Sequence, residues 1–71
     1  MKNRIEAIRK EWGIRQEELA QLLGVSRQTI SSLETGRYNP SIFLAYKVAK
    51  LFGMTIEEVF LFDDAEQEEF K

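Results

Sequence analysis

Helical spacing of apolar residues, interrupted by glycine, is the feature that most limits what this 71-residue chain can form. Four runs of apolar residues with a period of three to four are each followed by a glycine, namely Gly13, Gly24, Gly36 and Gly53. Such spacing indicates amphipathic helices, and a glycine just beyond the last apolar residue is typical of a helix end. The chain is therefore predicted to be a small all-α domain.

Capping residues place the helices more closely. Ser26 and Ser41 precede the third and fourth helices as good N-caps, and Thr55 with Glu58 forms a capping box before the fifth. Five helices joined by such short turns predict one compact domain whose helices cross steeply. The predicted helices cover about residues 3–12, 16–23, 27–35, 42–52 and 56–60.

The two chain ends are expected to meet. Residues 60–63 begin with an apolar run that predicts a short strand, and residues 1–4 are its expected partner in a two-stranded sheet. The domain is expected to span residues 1–62. An acidic tail, residues 63–71, follows it, and a solubilising end is its simplest interpretation.

The composition excludes several classes of function. The chain has no Cys and no His, which excludes disulfides, Cys/His zinc sites, thiol nucleophiles and imidazole bases. Without a Gly-rich phosphate loop or a carboxylate cluster, an enzyme is not expected, nor is a cofactor or a metal ion. No apolar run approaches the roughly 20 residues of a membrane helix, so no membrane partner is expected. A small-molecule ligand is not evident either, because no sensing domain fits in this length.

The charge is unevenly distributed along the chain. The net charge of −2 and the pI near 5.1, taken alone, argue against a nucleic-acid partner. Residues 1–50, however, carry nine Lys or Arg against five Glu, a balance of +4, and residues 51–71 carry one Lys against seven acids, a balance of −6. This asymmetry leaves two interpretations open: a basic body that meets phosphates, or an ordinary body with a solvated acidic tail.

The functional signal lies in residues 16–35, where a tight turn joins two short helices. Gly24 supplies the positive φ that a sharp turn needs, and Ala20 is small where the helices would cross. This arrangement predicts a helix-turn-helix. In that geometry the start of the second helix enters the DNA major groove, where Gln pairs with adenine and Arg with guanine. A solvated polar face is the alternative for the outward side chains there, which include no acid: Arg27, Gln28, Ser31 and Ser32.

The run QEELAQLLGVSRQTISSLETGRYNPS, residues 16–41, resembles the Cro/C1-type (XRE-like) helix-turn-helix regulators of phage and prokaryotes in their short stand-alone form. The similarity covers about residues 3–62. It implies a five-helix lambda-repressor-like fold and sequence-specific binding of a double-stranded DNA operator by a homodimer. A near-palindromic operator, repression of transcription and a cytoplasmic, nucleoid-associated location are implied as well. An antitoxin or restriction-modification controller with an additional protein partner is the alternative, and a protein-interaction module without DNA is another.

The resemblance also implies which residues contact DNA. Arg27, Gln28 and Ser32 match base-reading positions, and residues 37–39 match a loop that grips the backbone. Gln16 opens the second helix, whose N-terminus is an anion site. The full expected set is Arg15, Gln16, Ser26, Arg27, Gln28, Thr29, Ser31, Ser32, Arg37, Tyr38 and Asn39.

Four of the implied roles have alternatives. Thr29 could serve as a local cap, and Tyr38 could pack on the domain edge. Arg15 stands where the family commonly has a capping Ser, Thr or Asn; it has no acceptor, so that cap is in doubt and a phosphate contact is the alternative. Glu34 is expected to pair with Arg9 on the first helix as structural support, although a solvated Glu34 is the alternative.

A homodimer is also expected on physical grounds, because one reading helix touches few base pairs and a two-fold dimer doubles the contacts. Phe43 supports this expectation, since it lies off the inward stripe of its helix. Core packing is the alternative for several candidates. The interface candidates are Phe43, Tyr46, Ile56, Phe60, Leu61 and Phe62.

Overall fold

The computed structural model of the chain describes residues 2–61, which form five helices and one two-stranded sheet. This architecture confirms the predicted fold class. Its elements in chain order are β1 (Lys2–Asn3), α1 (Ile5–Glu11), α2 (Gln16–Leu23), α3 (Arg27–Glu34), α4 (Ile42–Phe52), α5 (Ile56–Val59) and β2 (Phe60–Leu61).

The sheet joins the two ends of the described chain. Strands β1 and β2 are antiparallel, with Lys2 opposite Leu61 and Asn3 opposite Phe60. The Arg4 backbone N–H donates to the carbonyl of the residue before β2 at 2.8 Å and extends the pairing. The predicted pairing of the ends is confirmed for the described residues, and residues 1, 62 and 63 lie outside them.

Four helix ends differ from the predicted bounds. Helix α1 ends at Glu11 instead of residue 12, and Trp12 is its C-cap. Helix α1 begins at Ile5 instead of residue 3, because residues 2–3 are extended in β1; Asn3 Oδ1 instead accepts from the Ile5 N–H at 3.1 Å. Helix α5 ends one residue early because Phe60 begins β2. Helix α3 ends at Glu34, and Thr35 is its C-cap. Helices α2 and α4 have the predicted bounds.

Two predicted caps fix the ends of α4 and α5. Ser41 Oγ accepts from the Leu44 N–H at 3.1 Å at the start of α4. At α5, the Thr55 N–H donates to Glu58 Oε1 at 2.9 Å, and the Glu58 N–H donates to Thr55 Oγ1 at 3.2 Å, which is a complete capping box. Hydrogen bonding by Thr55 lowers the pKa of Glu58, first through the Thr55 backbone N–H and then through its hydroxyl.

Apolar side chains from all five helices and β2 form one core. At the edge of this core, the Trp12 ring packs edge-on against Phe52, with ring centroids 5.2 Å apart. In the described part of the chain, every buried side-chain nitrogen or oxygen has a hydrogen-bond partner. The core fixes which face of α3 points outward. Its residues are Ile5, Ile8, Leu19, Ala20, Leu23, Ile30, Leu33, Leu44, Ala45, Val48, Ala49, Phe52, Val59 and Phe60.

Candidate nucleic-acid interface

Helices α2 and α3 pack directly against each other across a three-residue turn. Gly24 ends α2 with a φ of +72°, and its N–H donates to the Gln21 carbonyl at 3.3 Å. The Val25 N–H donates to the Ala20 carbonyl at 3.0 Å, which completes the left-handed helix end. A side chain at position 24 would be strained by that φ. The turn therefore has the predicted form of a helix-turn-helix.

The start of α3 carries an outward polar face, as its sequence indicated. Arg27 and Gln28 are exposed, and Ser31 and Ser32 are half-buried one turn further along. Buried apolar residues of α3 face the core, which holds this polar face on the surface. Both long side chains stand at the helix end that carries the positive dipole. Hydrogen-bonding groups thus project from the two first turns of α3.

Ser26 and Thr29 build the start of this helix. Ser26 Oγ accepts from the Thr29 N–H at 3.1 Å, so the predicted cap is present. The two hydroxyl oxygens also lie 2.9 Å apart and share a hydrogen bond. Thr29 therefore takes part in the local cap that was its alternative role. A contact between Thr29 and DNA stays a prediction.

The loop after α3 is held on the end of that helix by backbone bonds. The Arg37 and Tyr38 N–H groups donate to the Ser32 carbonyl at 3.1 and 3.3 Å. Arg37, Tyr38 and Asn39 are all exposed. The Tyr38 side chain does not pack into the core. It borders a shallow, open depression whose other lining residues are Ser26, Gln28, Thr29 and Ser32.

A partly buried polar cluster, Arg9, Gln16 and Glu34, connects α1, α2 and α3. Arg9 Nε and Nη2 donate to the Glu34 carboxylate at 2.7 and 3.3 Å, and Gln16 Nε2 donates to Glu34 Oε1 at 2.9 Å. Arg9 Nη1 also reaches the Ile14 carbonyl at 2.9 Å. The side chains of Arg9 and Glu34 are only 11% and 3% exposed. The expected ion pair is thus present, and the hydrogen bond to Glu34 raises the pKa of Arg9 although burial opposes it.

The start of α2 is incompletely capped, and its first turn carries two acids, Glu17 and Glu18. Arg15 occupies the N-cap position, makes no side-chain cap, and is exposed. Its backbone N–H donates to Glu18 Oε1 at 3.2 Å, so Glu18 satisfies one donor of the helix end. An open groove lies beside this end and is lined by Arg9, Arg15, Gln16, Glu17 and Arg27.

Besides the Gln16–Glu34 bond, two polar contacts at this site were not predicted. Glu17 Oε1 of α2 lies 3.6 Å from Arg27 Nη1 of α3, and both side chains are 67% exposed. Lys47 Nζ of α4 donates to the Leu23 carbonyl at 2.7 Å and thereby gives one carbonyl of the last turn of α2 a hydrogen-bond partner. Each contact joins residues at least ten positions apart, and neither leaves a periodic signal in the sequence.

The outer surface of α4 is apolar and aromatic. Phe43 is 70% exposed, and Ile42 and Tyr46 are exposed beside it. A lysine lies near each aromatic ring: Lys47 Nζ is 5.8 Å from the Phe43 ring centre, and Lys50 Nζ is 5.6 Å from the Tyr46 ring centre. These distances are within the range of cation–π contacts. We call this set the α4 surface: Ile42, Phe43, Tyr46, Lys47 and Lys50.

The candidates for a dimer interface divide into three groups. Phe43, Tyr46 and Leu61 are exposed, and Ile56 is half-buried. Phe60 is a correction: its side chain is 1% exposed and belongs to the core, because the alternation along β2 turns Phe60 inward and Leu61 outward. Phe62 lies outside the described residues.

Other kinds of site have no counterpart in the described chain. Within residues 2–61, no group of three or more His, Cys, Asp or Glu side chains is placed to hold a metal ion. None of the helices described here is both long enough and apolar enough to cross a membrane.

Comparison with known proteins relates this chain to helix-turn-helix transcriptional regulators. A family model described as "Helix-turn-helix" matches residues 5–59. An uncharacterized HTH-type transcriptional regulator of Archaeoglobus fulgidus is 53% identical over 66 residues, covering 93% of this chain and 94% of that protein. The HTH-type transcriptional regulator YgzD of Bacillus subtilis, also called uncharacterized, is 42% identical over 64 residues, 90% of this chain and 97% of that protein. The crystal structure of a hypothetical transcription factor from Neisseria, NHTF, has a TM-score of 0.70 at 27% identity, covering 94% of this chain and 76% of that one.

Proposed function

Because the chain belongs to the Cro/C1-type helix-turn-helix family, we propose that it binds an operator in double-stranded DNA and represses transcription. The family is a class of DNA-binding regulators and not of enzymes, in agreement with the prediction that this chain is no enzyme. The observation that carries the proposal is the outward face of α3, where Arg27 and Gln28 are exposed on a helix that the core and the Arg9–Glu34 pair hold rigidly.

In the proposed complex, α3 lies in the major groove and reads bases. Gln28 offers a donor and an acceptor that match adenine N7 and N6, and Arg27 offers the donors that match guanine O6 and N7. Ser32, one turn further along, reaches a third base. Ser26, Thr29, Ser31 and Tyr38 surround these residues and complete the surface that meets the groove.

Phosphate contacts on both sides of α3 would set its depth and register in the groove. Arg15 and Gln16 lie at the start of α2, and Arg37 and Asn39 lie in the loop after α3. The Gln16 amide is already oriented by Glu34 at 2.9 Å. Contacts of this kind supply most of the affinity and no direct sequence information. We assign this function to a domain spanning residues 1–62, acting in the cytoplasm beside the nucleoid, and treat residues 63–71 as a separate acidic tail.

We propose that two copies bind a near-palindromic operator as a homodimer. The α4 surface supports this, because an exposed aromatic cluster on a small domain marks an interaction site. Tyr46, Leu61 and Ile56 extend the proposed interface from Phe43 towards α5 and β2, and Phe60 is left out. Occupation of an operator by such a dimer would block transcription by excluding other proteins.

Duplex binding by point variants tests the proposed readout. Gln28→Ala should cost about 1–3 kcal/mol on the preferred operator and relax one base position. Arg37→Ala should weaken binding to all sequences alike and lower the salt slope by about 1. Lys10→Ala is the matched control, because Lys10 is exposed on α1, pairs with Glu6 and is not among the residues proposed to contact DNA. If the Gln28→Ala variant bound every duplex as the parent does, base readout would be assigned to the wrong residue.

The oligomeric state tests the proposed interface. Phe43→Glu should shift the parent dimer towards monomer in sedimentation equilibrium, because it places a charge in the centre of the apolar contact. Leu22→Glu is the control, since Leu22 is 58% exposed and lies on α2, outside the proposed interface. A parent that is monomeric at micromolar concentration, or a Phe43→Glu variant as dimeric as the Leu22→Glu control, would contradict the interface.

A further inference from the structure

We propose that Glu17 is a specificity-determining residue that restrains Arg27 and so lowers the affinity of the protein for DNA of the wrong sequence. This inference rests on the proposed function and deepens it. Glu17 is not among the residues expected to contact DNA, yet its Oε1 lies 3.6 Å from Nη1 of a base-reading candidate.

The position of Glu17 places a negative charge where phosphates would approach. Its carboxylate lies on the first turn of α2 and lines the same groove as Arg9, Arg15, Gln16 and Arg27. Arg9 is already paired with Glu34, but the two exposed arginines of the groove, Arg15 and Arg27, would attract any phosphate, whatever the sequence. Glu17 cancels part of that attraction and repels the phosphate itself.

The pair also controls how Arg27 can be used. Arg27 opens α3, and a cation is disfavoured at the positive end of a helix, so Glu17 offsets the charge there. If Arg27 binds a phosphate, it exchanges the Glu17 carboxylate for another anion and gains little binding free energy. For Arg27 to read guanine, its other donors can form a bidentate contact while Nη1 stays with Glu17. The pair therefore weakens non-specific binding more than it weakens operator binding.

Exposure sets the size of the effect. Both side chains are 67% exposed, and exposed ion pairs are weak, so release of Arg27 alone changes affinity less than about fivefold. One additional phosphate contact steepens the salt slope by about 0.9, which adds about threefold between 200 and 50 mM salt. We expect Glu17→Gln to raise affinity for non-operator duplex by about three- to tenfold at 50 mM salt and operator affinity by less, so that discrimination falls.

Glu6→Gln is a matched control for this experiment. It makes the same change in net charge and breaks a comparable exposed pair, Glu6 with Lys10 at 2.8 Å, on α1. Fluorescence anisotropy with operator and non-operator duplexes, over a range of salt, should show the affinity gain and the steeper slope for Glu17→Gln only. Melting temperatures of both variants report whether the fold is intact.

The Arg27→Ala variant tests whether Glu17 changes DNA discrimination through Arg27. In Arg27→Ala protein, adding Glu17→Gln should change the operator preference little, because the restrained residue is gone. An equal loss of discrimination in that background would overturn the proposal, as would a Glu17→Gln variant that matches Glu6→Gln. A parent that binds no duplex would instead overturn the proposed function together with this inference, so the two failures are distinguishable.

Discussion

Replacement of Arg9 by Ala is the sharpest test of how this small domain holds its recognition helix. The substitution removes two hydrogen bonds to Glu34 and one to the Ile14 carbonyl. Glu34 would remain as a carboxylate that is 3% exposed and without its cation. The Gln16 amide, at 2.9 Å, would still donate a hydrogen bond to that carboxylate.

The expected loss of stability follows from that environment. Removing one partner of a buried ion pair costs about 3–5 kcal/mol, because the remaining charge is uncompensated. The Gln16 bond and the entry of water at Arg9, which is 11% exposed, lower the figure. We therefore expect Arg9→Ala to lose about 2–4 kcal/mol of the free energy of unfolding. A 71-residue domain has roughly 4–10 kcal/mol in total, so this is a large fraction.

Thermal and urea unfolding followed by circular dichroism would measure this loss. The melting temperature should fall by about 10–30 °C for a domain of this size. Lys10→Ala is the control, because the Lys10–Glu6 pair is exposed and should contribute about 0.5 kcal/mol or less. Adding Glu34→Gln to Arg9→Ala should recover part of the stability, since a buried amide costs less than a buried carboxylate. Equal melting temperatures for Arg9→Ala and Lys10→Ala would refute the structural role of the pair.

Three further predictions concern the ends of the helices. Ser26→Ala should destabilise the domain by about 0.5–2 kcal/mol in urea unfolding through loss of the α3 N-cap, and an unchanged midpoint would show that the cap is dispensable. Lys47→Met, which keeps the apolar stem, should cost about 1–2 kcal/mol through its charged bond to the Leu23 carbonyl; no loss would show that water replaces it. The pKa of Glu58 is lowered from 4.5, so its contribution is complete above that pH and is lost as pH falls below it. The stability difference between the parent and Glu58→Gln should therefore shrink below pH 4.5, and a constant difference would contradict the capping box.

Local features of the fold were predictable from the sequence. Helices α2 and α4 were placed correctly because their apolar stripes and their end residues agree. Caps at Ser26, Ser41 and Thr55 were predictable for the same reason: a cap involves residues three positions apart, so its signal lies within one short segment.

Long-range polar contacts were not predictable from spacing. Asn3 Nδ2 donates to the Leu33 carbonyl at 2.7 Å across thirty positions, and Lys47 reaches Leu23 across twenty-four. The Arg9–Glu34 pair was expected only from the family resemblance. Phe60 shows a second limit: one apolar residue in a short strand fits a core or an interface equally well until the direction of the strand is known.

Selection of bound sequences from a random pool of duplexes is the broadest test of the proposed operator binding, because it measures binding, symmetry and base preference together. We expect an enriched, two-fold symmetric motif whose half-sites lie about one helical turn apart. The Gln28→Ala variant should lose the preference at one position in each half-site. Retention of duplexes without any enriched motif, or of no duplex at low salt, would contradict the account and favour a protein-interaction module.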